Sequence, residues 1–117
     1  MNYVDGYLVP VPNANRDAYR KLALEMAALF KQSGALQVVE CWGDDVPEGK
    51  VTSFSMAVQR KPDETVVFSW VVWPSKQVRD EGMKKVMEHP GMQKGPAGIP
   101  FDGQRMIFGG FQVIVNE

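Results

Sequence analysis

One histidine, His89, limits the metal and nucleophile chemistry open to this chain. Zinc sites built on two or three histidines, and the two-histidine facial triad of non-haem iron, need more than it offers. A Ser-His-acid triad would have to use the same residue, and no G-x-S-x-G motif accompanies it. His89-Pro90 reads as a helix boundary in preference to a haem ligand. Cys41, the only cysteine, lies between Glu40 and Trp42. Period-2 alternation puts it on the face of Val39, so a buried, unreactive thiol is expected. Asp44-Asp45 and Glu48 share a Gly/Pro loop without the ligand spacing of an EF-hand, and read as turn and capping residues. No metal and no cofactor is expected.

The stretch IPFDGQRMIFGGF, Ile99 to Phe111, has a less ordinary composition. Pro100-Phe101 leads into a turn at Asp102-Gly103, and a strand runs from Arg105. Gly109-Gly110 inside that strand implies a bulge or a close approach by backbone or ligand, with the bulge preferred. Arg105 carries a fixed fork of donors suited to an anion, although pairing with Asp102 or with an acid across a dimer is the simpler use. Trp70, Trp73 and Phe101 as walls, with Asp102 and Arg105 at the rim, form the candidate ligand-binding set for a mainly apolar pocket between sheet and helices. GMQKGPAG, Gly91 to Gly98, lacks the Gly-Lys-Ser/Thr of a phosphate loop and reads as a flap over that pocket.

Strands and helices must position these residues. Tyr3 to Val11 reads as a strand with Tyr3, Tyr7, Val9 and Val11 on one face. Pro10 and Pro12 put its far end at an edge or outside the sheet. Asn13 or Asn15 is expected to cap a helix whose stripe is Tyr19, Leu22, Ala23, Met26, Leu29 and Phe30, ending at Gly34. Leu36 to Trp42 is a second strand. Val51 to Gln59 is read as one short helical turn capped by Ser53, with a strand as the alternative. Thr65 to Trp73, TVVFSWVVW, is the strongest strand and is apolar on both faces: Val66, Phe68, Trp70 and Val72 against Val67, Val71 and Trp73. Ser75 caps a helix from Lys76 to about Glu88, buried through Val78, Gly82 and Val86, with Lys76, Arg79, Asp80, Lys84 and Lys85 as its solvated side.

The 117 residues suit one domain with a core of its own. A hydrophobic share of 44% and a charged share of 23% are those of a globular protein. With a net charge of −1 and both signs interspersed, nothing marks a nucleic-acid or anionic-membrane partner. No apolar run approaches the roughly 20 residues of a membrane span. The N-terminus does not read as a signal peptide. A lone cysteine suits a reducing compartment, so a cytoplasmic protein is expected.

The order β-α-β, short insert, β-α-β predicts an α+β fold of the ferredoxin-like split βαβ type, with both long helices on one side of a four-stranded sheet. Its other side is apolar, and a second copy packed face to face would cover it, which predicts a homodimer. Three runs, VECWGDDVPEGKVTSF (Val39 to Phe54), ETVVFSWVVWPSK (Glu64 to Lys76) and PFDGQRMIFGGF (Pro100 to Phe111), resemble the YbaA-like bacterial family of unknown function. The resemblance spans essentially the whole chain and implies a dimeric α+β barrel; it carries no established activity. The expected function is a small-molecule-binding or interaction module taking an apolar or aromatic ligand. A cofactor-independent monooxygenase-like enzyme is the alternative.

Overall fold

The computed structural model describes residues 2–93 and 98–117. Strand β1 (Tyr3–Pro12) is followed by a 3-10 turn at Asn13–Asn15 and helix α1 (Arg16–Gln32). Then come β2 (Gln37–Trp42), the single-turn α2 (Phe54–Ala57), β3 (Glu64–Trp73), α3 (Lys76–Glu88), a 3-10 turn at Pro90–Gln93, and β4 (Ile107–Gln112). The sheet has the order β2-β3-β1-β4 with every pair antiparallel. The fold is therefore the expected ferredoxin-like α+β arrangement.

Cross-strand register assigns the faces. Tyr3, Asp5, Tyr7, Val9 and Val11 of β1 stand opposite Trp73, Val71, Ser69, Val67 and Thr65 of β3. This is the helix-covered face. Trp73 is fully buried there, edge-on to Phe30 of α1. Gly82 of α3 makes the contact possible, because a Cβ at that position would strike the Trp73 ring and come within 2.6 Å of the Ser33 carbonyl oxygen. Two apolar clusters fill the layer, one around Tyr3, Ala35, Val71 and Trp73, the other around Val9, Val11, Tyr19 and Val67. Each side chain buried there contributes about 1.5–3 kcal/mol.

Local signals act largely as the sequence implies. Ser53 and Ser75 cap α2 and α3, their hydroxyls accepting from the backbone N–H of Met56 and Val78 at 3.0 and 3.1 Å. Gly34 follows α1 with φ of 115°. Pro10 and Pro12 lie beyond Leu8, where pairing with β4 ends. Asn13 donates its N–H to Asp63 on the β3 side. By alternation the two proline nitrogens therefore face the side that β4 has vacated.

Four expectations are corrected. Neither asparagine caps α1: Asn15 donates its side-chain amide to the Pro100 carbonyl, and Asn13 accepts from the Thr65 hydroxyl. Strand β4 starts at Ile107, after Arg105, and holds an unbroken register through Gly109 and Gly110, so there is no bulge. A Cβ on Gly110 would lie 2.8 Å from the Tyr3 ring and 2.9 Å from the Arg79 guanidinium; the glycine admits these side chains. Cys41 is exposed, because Val38, Glu40 and Trp42, not Val39 and Cys41, point under the helices on edge strand β2. Arg79 leaves the solvated side of α3 and turns inward.

Candidate functional site

A polar row crosses the middle of the helix-covered face. Register sets Glu40 of β2 beside Ser69 of β3, and Ser69 beside Tyr7 of β1. Ser69 is buried and its hydroxyl bonds the Glu40 carboxylate. Tyr19, one turn into α1 and itself buried, donates its hydroxyl to Glu40 Oε1 at 2.7 Å. Polar groups are costly in an apolar layer unless they are satisfied, and Tyr19 and Ser69 each supply Glu40 with one hydrogen bond. Burial pushes the Glu40 carboxyl above its ordinary range, against the opposing pull of the Tyr19 and Ser69 hydrogen bonds. Burial, then the charge of Asp5, pushes the Tyr7 phenol up to about 12. Burial and the Glu40 charge also raise Tyr19.

The row opens into a groove of about 340 Å³ between α1 and β2. Tyr19, Ala23 and Leu24 form its helix side, and Val38, Glu40 and Trp42 its sheet side. Arg16 and Arg20, four residues apart on α1, stand at its rim. The Arg16 guanidinium lies 5.1 Å above the Trp42 ring. Glu40 remains open to water along this groove. A proton acceptor, a phenol, an indole and two cations thus share one small concave space.

Two ion pairs brace the layer. Asp5, only 3% exposed, accepts from both Nε and Nη2 of Arg79 and from the Trp73 indole N–H at 2.9 Å. Hydrogen bonds from Arg79 to Asp5 and Asp80 raise its guanidinium pKa further. At the other end of the sheet Arg105 grips Glu64 through Nη1 and Nη2 at 2.7 and 2.6 Å, and donates its Nε to Asp102 at 2.9 Å. Arg105 holds the buried Glu64 carboxyl below its usual range.

The five residues expected to make one pocket are divided among separate places. Trp73 is sealed in the core, whereas Trp70 stands on the opposite face of the sheet, away from α1 and α3. Phe101 packs edge-on against Tyr19 with ring centroids 5.7 Å apart. Asp102 and Arg105 are spent on Glu64 and each other, the simpler use weighed for Arg105. The expected flap, Gly91 to Gly98, includes residues 94–97, which lie outside the described residues. Sequence reasoning missed Tyr19–Glu40 and Asp5–Arg79. The available signal was polarity at inward positions, Asp5 between Tyr3 and Tyr7 and Glu40 between Val38 and Trp42.

The face away from α1 and α3 is apolar. Val4, Leu8, Phe68, Trp70, Ile107 and Phe111 line a broad depression of about 780 Å³. Phe68 stacks edge-on against both Phe54 and Trp70. Beyond β4 the chain continues through Ile114 and Val115, which are 87% and 75% exposed.

A four-stranded antiparallel sheet with two long helices on one face and a bare apolar face on the other defines a ferredoxin-like α+β protein. The chain belongs to the family described as "Protein of unknown function (DUF1428)", which matches residues 2–103. It is 54% identical over 117 residues to the "Uncharacterized protein YbaA" of Escherichia coli K12, covering 100% of both chains. The same identity and coverage relate it to the protein of that name from Shigella flexneri. Among solved structures, a dimeric ferredoxin-like protein from an uncultured marine organism aligns over 99% of this chain and 98% of its own. Its TM-score is 0.62 at 12% identity, a likeness of fold alone. Among the described residues no helix is long and apolar enough to cross a membrane.

Proposed function

We propose that the protein is a cytoplasmic homodimer whose subunits each bind a small organic molecule in the groove between α1 and β2. The observation that carries the binding reading is the Tyr19–Glu40 pair, polar groups set in an apolar layer where the layer opens to solvent. The volume is at the lower end of small-molecule sites. The dimer reading is supported by the bare sheet face, where Phe111 is 61% and Phe68 44% exposed. The dimeric fold neighbour points the same way. Trp70 then belongs to the subunit interface, and Phe101 serves the groove by backing Tyr19. The near-neutral charge supports no polyanionic partner.

Light scattering on the purified chain and a thermal-shift screen of small aromatic and aliphatic compounds test both parts. A dimer at micromolar concentration and compounds whose stabilising effect is lost in Tyr19→Ala are expected. A stable monomer sinks the assembly. Stabilisation that Tyr19→Ala leaves untouched sinks the groove.

A second reading has its own observation: Glu40, with its proton affinity raised by burial, is a base within reach of anything bound beside Tyr19. In a cofactor-independent monooxygenase-like enzyme Glu40 would take the substrate proton and dioxygen would be the co-reactant. Oxygen uptake with a bound compound, abolished in Glu40→Gln, separates this reading from binding without turnover.

A further inference from the structure

We infer that the occupant of the α1/β2 groove is a small organic anion with an apolar ring and, at its far end, a hydroxyl that donates to Glu40. The inference rests on the groove being the binding site and adds the chemistry of what it takes.

The groove has two unlike ends. At the rim, Arg16 and Arg20 repeat at i and i+4 on one helix face, a like-charge pair that by itself weakens a helix. Among the described residues neither guanidinium has a carboxylate partner, in contrast to Arg60, Arg79 and Arg105, which all do. Two unpaired forks at the mouth of a concave site suit a carboxylate, which one guanidinium can hold through two parallel bonds. Between the ends, Trp42, Ala23, Leu24 and Val38 contribute a mainly apolar lining. The Arg16 guanidinium over the Trp42 ring adds a cation–π contact to that wall.

The inner end is an acceptor. Glu40 takes one hydrogen bond from Tyr19 on Oε1 and one from Ser69, which leaves lone pairs of an acceptor-only group facing the groove. A neutral donor there satisfies the carboxylate without placing a second charge in the layer. Anion at the mouth, ring in the middle and hydroxyl inside make a hydroxylated aryl or alicyclic acid the class that fits.

Three probes of one size decide it by calorimetry on the intact chain: 4-hydroxyphenylacetate, phenylacetate without the donor, and tyramine with a cation in place of the carboxylate. The hydroxy acid is expected to bind roughly tenfold or more tighter than either of the others. The exposed double substitution Arg16→Gln/Arg20→Gln should weaken it by at least about tenfold while leaving thermal stability in place. Trp42→Phe should remove the accompanying change in tryptophan fluorescence. Tyramine binding as well as the hydroxy acid, or an affinity untouched by the arginine substitutions, overturns the ligand class while leaving the groove as a site. No binding of any probe at about 10 mM, and no change at Trp42, overturns the inference and the groove reading together.

Discussion

Replacing Asp5 by alanine should unfold this protein more readily than removal of any exposed ion pair. The carboxylate is 3% exposed and holds the Trp73 indole N–H at 2.9 Å and the Arg79 fork at 2.8–3.1 Å. Without it a buried indole donor is left unpaired, at about 1–3 kcal/mol. Arg79 also loses its inner partner, and breaking a fully buried pair costs about 3–5 kcal/mol. That second figure must be discounted, because the Arg79 side chain is 23% exposed and keeps Asp80 at 2.9 Å. A net loss of about 2–4 kcal/mol is expected, a fall in Tm on the order of 10 °C for a chain of this size. Urea unfolding followed by tryptophan fluorescence measures it, since Trp73 sits on the contact itself. The double variant Asp5→Leu/Arg79→Met removes both charges and should regain part of the loss. A cost for Asp5→Ala below about 1 kcal/mol, with no coupling to Arg79, would show that the pair is incidental to the packing.

Gly82→Ala should destabilise the protein by about 1–3 kcal/mol despite the higher helix propensity of alanine, because the new Cβ meets Trp73 and Ser33; a raised Tm refutes this. Arg105 holds the Glu64 carboxyl low, so its stabilisation is complete above the unfolded value of about 4.3 and is lost as pH falls through the folded one. Urea melts from neutral to acid pH should therefore show wild type and Glu64→Gln converging at the acid end, and a constant gap speaks against the pairing. Glu40 has the opposite sign: its raised folded pKa makes ionisation costly, so Glu40→Gln should match or exceed wild type near neutrality and lose that advantage in acid. Phe111→Asp on the bare sheet face should yield monomers by light scattering, with the helix content of the native chain; dimers of unchanged strength place the interface elsewhere.

The fold was legible because its signals are local. Ser53 and Ser75 cap helices within three residues of themselves, Gly34 takes its positive φ beside its own helix, and TVVFSWVVW shows two apolar faces in its own pattern. The site was hidden for two reasons. In β2 the adjacent apolar residues Val38 and Val39 leave alternation undecided, and one shift of parity exchanges Glu40 and Trp42 for Cys41. The braces join residues remote in sequence, Asp5 with Arg79 and Glu64 with Arg105, and no pattern within a strand or helix encodes a partner 74 or 41 positions away. Gly109-Gly110 shows the same limit: its contacts come from Tyr3 and Arg79 on other elements.

The residues singled out in the Pro100–Phe111 run still bear on the groove, by an indirect route. Arg105, fixed to Glu64 and Asp102, anchors the turn before β4 at the end of the sheet. Asn15, just before α1, clasps the same segment at the Pro100 carbonyl. Between those fastenings Phe101 is pressed edge-on against Tyr19, the residue that reaches Glu40. Buried ion pairs often add little stability over apolar residues of the same shape, and in some proteins their role is to select one arrangement among several. Here the arrangement fixed is the position of Tyr19 above an acceptor open to solvent. The ionic end of the sheet is thus best understood as the support that keeps the groove's phenol and carboxylate in register.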